Sequence, residues 1–553
     1  MTANPRTPSR ILAITAVVLC AVVMKLMVIL APPDELIPSG LGMYEEMYRG
    51  VGALEFIEGP VLPWMDYQIN HFSGGSMVMA VLAVPFFLMF GPSVIAMRLV
   101  TLLFSGLAVA LLFAILDRFH GRRAAWVGSL LLAFCPPGYA IVSTTAWGTH
   151  LEGNTLMLLL AFLFLRFHGA SEQRSPAAFV LGVTGGFAIW FGYASIAIVG
   201  SLVVTELLFC RSHLRMHWYL WRSAGFLVGL TPWFIYNLTH DFAGFTMYGY
   251  SVGAHIREGS SGAEMLAVAW RFLSQDLPGS FYFTDWGALS GNVIEWVLYA
   301  LLLGLALIGF VTHLRKRSGS GSGVRPLTLG FVFTLVFLAA YIRSGFRVEQ
   351  NAAQNFRYAM PMVPWLFMAV GVGVAALSRN KQKTAKLATG IALAVGVTFT
   401  LGSIAMCDFG RAKSTWSNPG TSDIVLARTI SMRYSRHPDQ LERIAKNILE
   451  KRPLERQHEL FFVLGQNYKI SLDPKTKLKP AERPREHYEP AIDRLHATVP
   501  EAFKPYFERP LPREKFYGPF GRPQLERFWK DHKAGKKTRP APRSAPKSKS
   551  DAE

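Results

Sequence analysis

Long apolar stretches recur from residue 11 to residue 406, with short polar segments between them. A run long enough to cross the hydrocarbon core predicts a membrane-spanning helix. The first run, 11–31, follows Arg6 and Arg10 and leads into Pro32-Pro33 rather than a cleavage site, which predicts a signal-anchor helix. The further runs are 73–90, 93–116, 124–142, 151–165, 177–209, 224–238, 293–314, 326–342, 359–377 and 387–406.

Basic residues cluster in five of the short loops between these runs, and the positive-inside rule puts all five in the cytoplasm. With a cytoplasmic N-terminus, run 177–209 must then cross twice, with a break at Phe191-Gly192-Tyr193. Run 73–90 must lie as an interfacial or re-entrant helix on the outer side. Parity gives about 11 spans and an outer C-terminal region. The rival topology lets run 73–90 span, starts outside, and puts residues 34–66 on the opposite face from loop 147–152.

The composition supports a membrane protein, with 51% hydrophobic and 17% charged residues and a mean hydropathy of +0.26. Soluble chains average about a quarter charged residues. We predict an all-α, multi-pass protein of the bacterial inner membrane. Its transmembrane domain covers 1–406 and includes a first outer loop at 32–72 and a long outer loop at 239–291.

The C-terminal quarter differs in character from the rest of the chain. Residues 407–553 carry 31 Lys and Arg against 19 Asp and Glu, within a total net charge of +20. We expect a basic, partly helical outer region at 407–533, with helices at 423–451 and 454–469, and a disordered tail at 534–553. The four cysteines are scattered and predict no disulfide framework.

Acidic residues gather in the first outer loop, where apolar residues between Met43 and Ile57 recur at helical spacing and predict an amphipathic helix on the membrane. A transferase acting on a hydroxyl group needs a carboxylate to accept the proton at the membrane surface. We therefore take Glu45 and Glu46 as candidate bases. The alternates are Asp34 and Asp66.

Pattern alone favours a different interpretation, in which Glu45, Glu46 and Glu55 are the solvated face of this helix and Glu45 pairs with Arg49. If Glu46 instead keeps only its like-charged neighbour, its proton affinity should rise, which suits a base.

Basic residues also occur outside, where the positive-inside rule predicts few. A guanidinium binds two phosphate oxygens at once, so Arg98, Arg343, Arg347 and Arg357 are candidates for holding a phosphate. The alternative is headgroup anchoring or pairing with the acidic first loop. Within the spans, Lys25, Glu206 and Glu295 lie near helix ends and are expected to snorkel, which leaves no mid-membrane relay for a proton-coupled transporter.

The order of several short segments between residues 11 and 377 resembles the GT-C membrane glycosyltransferases of the family 39 type, which include protein O-mannosyltransferases and lipid A aminoarabinose transferases. The segments are Tyr44-Glu45-Glu46-Met47-Tyr48, Phe90-Gly91-Pro92-Ser93, Met97-Arg98-Leu99, Arg118-Phe119-His120-Gly121-Arg122-Arg123, Cys135-Pro136-Pro137, Gly148-Thr149-His150-Leu151-Glu152, Thr231-Pro232, Tyr236-Asn237 and Arg357-Tyr358-Ala359-Met360-Pro361.

The resemblance implies juxtamembrane helices and a catalytic acidic residue in the first outer loop. It also implies a polyprenyl-phosphate sugar donor and inverting transfer outside the cytoplasm. Tyr44 stands where the family has Asp, Glu45 stands at the family's Glu, and Glu152 corresponds to its second acidic position. The segment from His71 to Gly75 replaces a Pro-rich entry, and its glycines permit close backbone approach.

We therefore predict a hexosyl or pentosyl transferase that moves a sugar from a polyprenyl-phosphate donor to an outer acceptor, which is a lipid, a glycan or a protein. The alternatives are a flippase or transporter of lipid-linked substrates and an inactive protein with the same scaffold. The expected partners are the lipid-linked donor and membrane lipids, with no nucleic acid. No cofactor or metal ligand is predicted, and a divalent cation is left open. The predicted substrate-binding residues are His71, Arg98, His150, Glu152, Arg343, Arg347, Arg357 and Tyr358.

Overall fold

The computed structural model of the chain describes its helical segments and the connections between most of them. The described residues are 7–31, 41–68, 73–168, 175–209, 216–240, 242–247, 250–251, 262–279, 293–316, 324–343, 357–380, 382–405, 407, 426, 430, 438–472 and 495–508. Three predicted site residues, Asp34, His71 and Arg347, lie outside these ranges, and the side chain of Glu45 is also not described.

Helices make up most of the described chain. The first helices are α1 (Thr7–Leu30), α2 (Leu41–Glu58), α3 (Gly75–Phe90), α4 (Val94–Phe119), α5 (Arg122–Ala133), α6 (Pro137–Thr144), α7 (Leu151–His168), α8 (Ser175–Phe191), α9 (Ile196–Phe209), α10 (Met216–Gly229) and α11 (Thr231–Thr239). A two-residue antiparallel pair follows, formed by β1 (Thr246–Met247) and β2 (Tyr250–Ser251).

The second half is helical as well. Its helices are α12 (Gly262–Arg271), a π-helical segment (Phe272–Asp276), α13 (Leu277–Gly279), α14 (Val293–Lys316), α15 (Pro326–Arg343), α16 (Val363–Asn380), α17 (Gln382–Ala405), α18 (Pro438–Lys451), α19 (Leu454–Leu472) and α20 (Pro505–Glu508). Short 3₁₀ turns lie at Trp64–Gln68, Tyr193–Ser195, Ala243–Phe245, Met360–Met362 and Glu501–Phe503.

Among the described residues, six helical stretches are long and apolar enough to cross a membrane, and a bent pair raises this number to seven. The six are Ser9–Leu30, Val94–Phe119, Trp296–Arg315, Pro326–Arg343, Arg357–Ser378 and Lys386–Ala405. The predicted all-helical, multi-pass membrane class is therefore confirmed. The predicted total of about 11 crossings stays a prediction.

The break predicted inside run 177–209 is confirmed, because α8 ends at Phe191 and α9 begins at Ile196. The apolar run 124–142 forms two helices, α5 and α6, which meet at an angle of 69°. Pro136 and Pro137 explain the bend, because proline cannot donate the backbone hydrogen bond that continues a helix.

Helices α8 and α10 approach each other through two pairs of glycines. A Cβ atom built on Gly182 or Gly186 would overlap the α10 backbone, and one built on Gly225 or Gly229 would overlap the α8 backbone. Each pair has the four-residue spacing that lets membrane helices pack with backbones in contact.

Two ionisable residues of the spans do not snorkel, contrary to the sequence-based expectation. Lys25 is 2% exposed and donates to Ser143 Oγ and, at 3.4 Å, to the Ala140 carbonyl of α6. Glu206 is 1% exposed and accepts two 2.7 Å hydrogen bonds from Arg222 of α10. Both residues found partners on neighbouring helices, so they hold helices together instead of reaching for the headgroups. The structure does not describe the side chain of Glu295.

The chain divides into two compact units. The first comprises Met1–Ala53 and Met65–Ser414, and the second comprises Leu54–Trp64 and Thr415–Glu553. The second unit thus combines the end of α2 and the turn after it with the C-terminal helices. The predicted domain boundaries at 406 and 533 stay predictions.

A buried ion pair holds the second unit together. Arg452 is 4% exposed and donates to Glu55 at 2.5 Å, while Asn447 donates to the Val61 carbonyl at 3.0 Å. These contacts pack residues 54–64 against α18 within the second unit. The choice between the two topologies stays a prediction.

Candidate active site

Glu46 of α2 forms a buried ion pair with Arg98 of α4. Its two carboxylate oxygens accept from Nε and Nη2 of Arg98, each at 2.9 Å, and Oε1 also accepts from the Ala146 amide at 3.0 Å. Glu46 is 1% exposed and Arg98 is 6% exposed. The interpretation of Glu46 and Glu55 as a solvated face is therefore wrong. A carboxylate held by a bidentate guanidinium is better suited to fixing α2 against α4 than to accepting a proton.

The loop between α6 and α7 meets the start of α3 through two glycines. Gly148 has φ +74°, a conformation that residues with a Cβ rarely adopt. A Cβ on Gly75 would overlap the Gly148 carbonyl, and a Cβ on Gly148 would lie 3.2 Å from Arg49 Nε. The close approach predicted for the glycines near residue 75 is confirmed. It brings the loop against Arg49 of α2, so the first outer loop and residues 147–152 share one face.

Aromatic rings surround the guanidinium of Arg357. Its Cζ atom lies 4.8 Å from the centroid of the Trp147 ring and 4.9 Å from that of Tyr358, whose hydroxyl accepts from Nη2 at 3.0 Å. Trp147 donates its indole N–H to the Val142 carbonyl at 3.1 Å. The two cation–π contacts and the hydrogen bond from Arg357 Nη2 to the Tyr358 hydroxyl fix the orientation of the Arg357 guanidinium.

His150 packs edge-on against both aromatic rings, with centroids 5.6 Å from Trp147 and 5.4 Å from Tyr358. Burial, and then the positive charges of Arg357 and Arg49, hold the pKa of His150 well below its ordinary value. The imidazole is therefore neutral at physiological pH, with one nitrogen able to donate and the other able to accept a hydrogen bond.

Glu152 is the second residue of α7, lies two residues after His150 and is 0% exposed. Among the described residues, neither carboxylate oxygen has a hydrogen-bond partner of normal geometry. Arg49 and the amide of Gly148 are near enough to act on it electrostatically. A buried carboxylate whose oxygens lack hydrogen-bond partners of normal geometry is costly, and a catalytic role or a bound ligand is one explanation for such a group in a native protein.

Asp66 forms a second polar cluster. It is 0% exposed and lies 2.5 Å from Nε2 of His240, which follows α11. The other ring nitrogen of His240 lies 3.0 Å from the Tyr236 carbonyl, and the imidazole stacks on the Tyr236 ring at 4.2 Å. With oxygens at both nitrogens, His240 orients Asp66 and ties the first outer loop to α11.

The structure thus brings together His150, Glu152, Arg357 and Tyr358 from two separate parts of the sequence. Arg98 pairs with Glu46, and Arg343 is the exposed last residue of α15. Sequence reasoning missed Trp147, and it assigned Arg49 only as a partner for Glu45. Nothing in the local pattern distinguishes either residue, since their roles come from contacts across the fold. Among the described residues, no group of three potential ligands could hold a metal ion.

The helices and this buried polar cluster define an integral, multi-pass membrane protein with a polar site beside the start of α7. The chain is similar to ArnT from Cupriavidus metallidurans bound to undecaprenyl phosphate, at a TM-score of 0.49 and 16% identity, over 83% of this chain and 75% of that one. The apo form of that ArnT gives a TM-score of 0.47 at 16% identity, over the same shares.

The chain is also similar to the oligosaccharyltransferase AglB from Archaeoglobus fulgidus in complex with an inhibitory peptide and a dolichol-phosphate. The TM-score is 0.44 at 14% identity, over 75% of this chain and 58% of that one. ArnT and AglB both have the GT-C fold that the sequence resemblance named. No protein-family model matches the chain, and no curated protein sequence matches it.

Proposed function

We propose that the chain is a GT-C-type glycosyltransferase that moves a sugar from a polyprenyl-phosphate-linked donor to an acceptor hydroxyl outside the cytoplasm. The observation that carries the proposal is the buried carboxylate of Glu152 in one cluster with Arg49, His150 and Arg357. A transfer of this kind needs a proton acceptor and a cationic phosphate site side by side. ArnT from Cupriavidus metallidurans, to which the chain is similar, binds undecaprenyl phosphate, and this agrees with the proposed donor class.

In the proposed step, the acceptor oxygen forms a bond to the anomeric carbon of the sugar. The bond from that carbon to the phosphate oxygen breaks, and polyprenyl phosphate leaves with the electron pair. Glu152 takes the hydroxyl proton as general base. His150, being neutral, positions a sugar or acceptor hydroxyl by hydrogen bonding without competing for the phosphate.

The proposed phosphate ligand is Arg357, because its guanidinium is already oriented by Trp147 and Tyr358. A preoriented group loses little conformational entropy when it binds. Arg49 adds positive charge beside Glu152 and favours departure of the anionic phosphate. Glu45 stays a candidate base from the sequence, and Asp66, oriented by His240, stays its alternate.

The test measures lipid-linked sugars in cells that lack the chain and in cells complemented with the wild type, Glu152→Gln or Glu501→Gln. Glu501 is the matched control, because its side chain is 85% exposed in the second unit. We expect one polyprenyl-phosphate sugar to accumulate in the deletion strain and with Glu152→Gln, whose transfer rate should fall about 10²- to 10⁴-fold. Wild type and Glu501→Gln should clear it.

Two outcomes would contradict the proposal. If no lipid-linked sugar changes in amount in the deletion strain, the chain is not a transferase of this class. If the total amount of lipid-linked sugar in the deletion strain equals that in the wild type, but the sugar is found on the inner instead of the outer face of the membrane, the transporter alternative is correct. Full clearance by Glu152→Gln would remove Glu152 as base while leaving the transferase proposal intact.

A further inference from the structure

Helix α12 and the π-helical segment that continues it dock onto the ends of two spans through one side. Phe272 packs on the Tyr341 ring of α15 with centroids 4.8 Å apart, and Asp276 accepts from the Tyr341 hydroxyl at 2.6 Å. The Leu273 carbonyl accepts from the Tyr299 hydroxyl of α14 at 3.1 Å. Phe272 and Asp276 are buried, with exposed fractions of 1% and 2%.

These contacts fix the depth of the segment. Tyr341 lies two residues before the end of the candidate span Pro326–Arg343, and Tyr299 lies three residues after the start of Trp296–Arg315. At a helical rise of about 1.5 Å per residue, both tyrosines are within about 5 Å of the span ends. The segment therefore lies at the level where the hydrocarbon core meets the headgroups.

A second side of the same segment is apolar and unpartnered within the described chain. Leu266, Trp270 and Leu273 recur at helical spacing and expose 74%, 71% and 46% of their surface. The polar side chains of Glu264 and Gln275 are also exposed, and Glu264 falls on another side of α12, about 160° from Leu266 at 100° per residue. An apolar stripe opposite a polar one is the pattern of a helix lying in a membrane interface.

We propose that α12 and its π-helical continuation form an interfacial anchor, with Leu266, Trp270 and Leu273 inserted between lipid headgroups and acyl chains. The stripe lies at the same membrane depth as the start of α14, where Trp296 and Val297 are also exposed, by 41% and 50%. Tryptophan is enriched at this depth of a membrane, because its ring is apolar and its N–H stays hydrated. The proposal does not depend on the transferase activity.

The test uses the full chain in phosphatidylcholine and phosphatidylglycerol vesicles, with the four native cysteines replaced by serine. Nitroxide labels are placed singly on Leu266→Cys and Trp270→Cys, and on Glu264→Cys and Gln275→Cys as matched controls. Collision rates are then measured with dissolved oxygen, which concentrates in lipid, and with an aqueous nickel chelate. We expect the ratio of oxygen to nickel collisions to be higher at 266 and 270 than at 264 and 275.

Two results would overturn the proposal. Equal nickel access at all four positions would show that the stripe faces water. Low collision with both reagents at 266 and 270 would show that protein covers the stripe, either another segment of this chain or a second copy.

A second measurement tests the insertion of Trp270 without spin labels, in case the labelled variants fold poorly. Lipids with brominated acyl chains quench nearby tryptophan fluorescence. We expect Trp270→Phe to lose part of the quenchable signal, whereas Trp190→Phe, which removes a ring that is only 4% exposed, should not lose it. Equal quenching of Trp270→Phe and wild type would overturn the insertion of Trp270.

Discussion

Replacing Glu46 by glutamine separates a structural role of this carboxylate from a catalytic one. The substitution keeps the size of the side chain but removes its charge, and it leaves the Arg98 guanidinium buried without a counter-charge. Removing one member of a buried ion pair costs about 3 to 5 kcal/mol. The Ala146 hydrogen bond adds about 1 kcal/mol if the new amide turns its nitrogen toward Ala146.

The double variant Glu46→Gln/Arg98→Met removes both charges. It should recover much of the stability that either single variant loses, with a coupling energy of about 0.5 to 3 kcal/mol. The pair of Glu501 and Lys504 is the control, because the Glu501 side chain is 85% exposed and Glu501→Gln should cost less than about 1 kcal/mol. The assay is denaturant unfolding of the purified chain in detergent, followed by the circular dichroism of its helices.

The reasoning is refuted by a Glu46→Gln variant that unfolds at the wild-type denaturant concentration. If that variant is also inactive in sugar transfer, Glu46 acts in the chemistry and the base assignment returns to α2. A destabilised but active variant would instead support the role of Glu46 in fixing α2 against α4.

Three further predictions use other parts of the structure. Arg357→Ala should raise the donor concentration needed for half-maximal transfer by roughly tenfold to a hundredfold, since a charge-assisted contact contributes about 1.5 to 3 kcal/mol, and Arg357→Lys should rescue only partly; unchanged donor dependence would make Arg357 an anchor. Gly75→Ala should sharply lower the yield of folded protein in detergent because its Cβ overlaps the Gly148 backbone, whereas Gly153→Ala, which meets nothing within 4 Å, should be tolerated; equal yields would contradict the close approach. Trp64→Cys should react with a membrane-impermeant thiol reagent in intact cells and Arg123→Cys only after permeabilisation, and the reverse result would invert the predicted topology.

The sequence pattern predicted those structural features that are determined by residues close together in the chain. Helical spacing of apolar residues predicted the helix that the structure places at Leu41–Glu58, and Gly192 marked the break between α8 and α9. The close approach near Gly75 followed from the absence of a Cβ. In each case the cause lies within a few residues of its effect, so one stretch of sequence contains the evidence.

Side-chain partners could not be predicted in the same way. The pair of Glu45 and Arg49 stays a prediction because the Glu45 side chain is not described, whereas Glu46 pairs with Arg98, which is 52 positions away. Lys25 was expected at the headgroups and instead contacts Ser143. Both partners are chosen by how helices pack, and no pattern within one helix records the packing of another.

The candidate site lies where the helical backbone is interrupted, and contacts with other parts of the chain stabilise each interruption. Pro136 and Pro137 break the run and leave the short helix α6, whose C-terminal region receives the Lys25 ammonium, as suits the negative end of a helix dipole. Irregular backbone at membrane depth is tolerated only where protein buries it, and the loop from 145 to 147 is buried. Gly148 then turns the chain so that Glu152 starts α7 beside Arg49. The features that make this stretch a poor membrane span are therefore the ones that bring a buried carboxylate next to guanidinium groups.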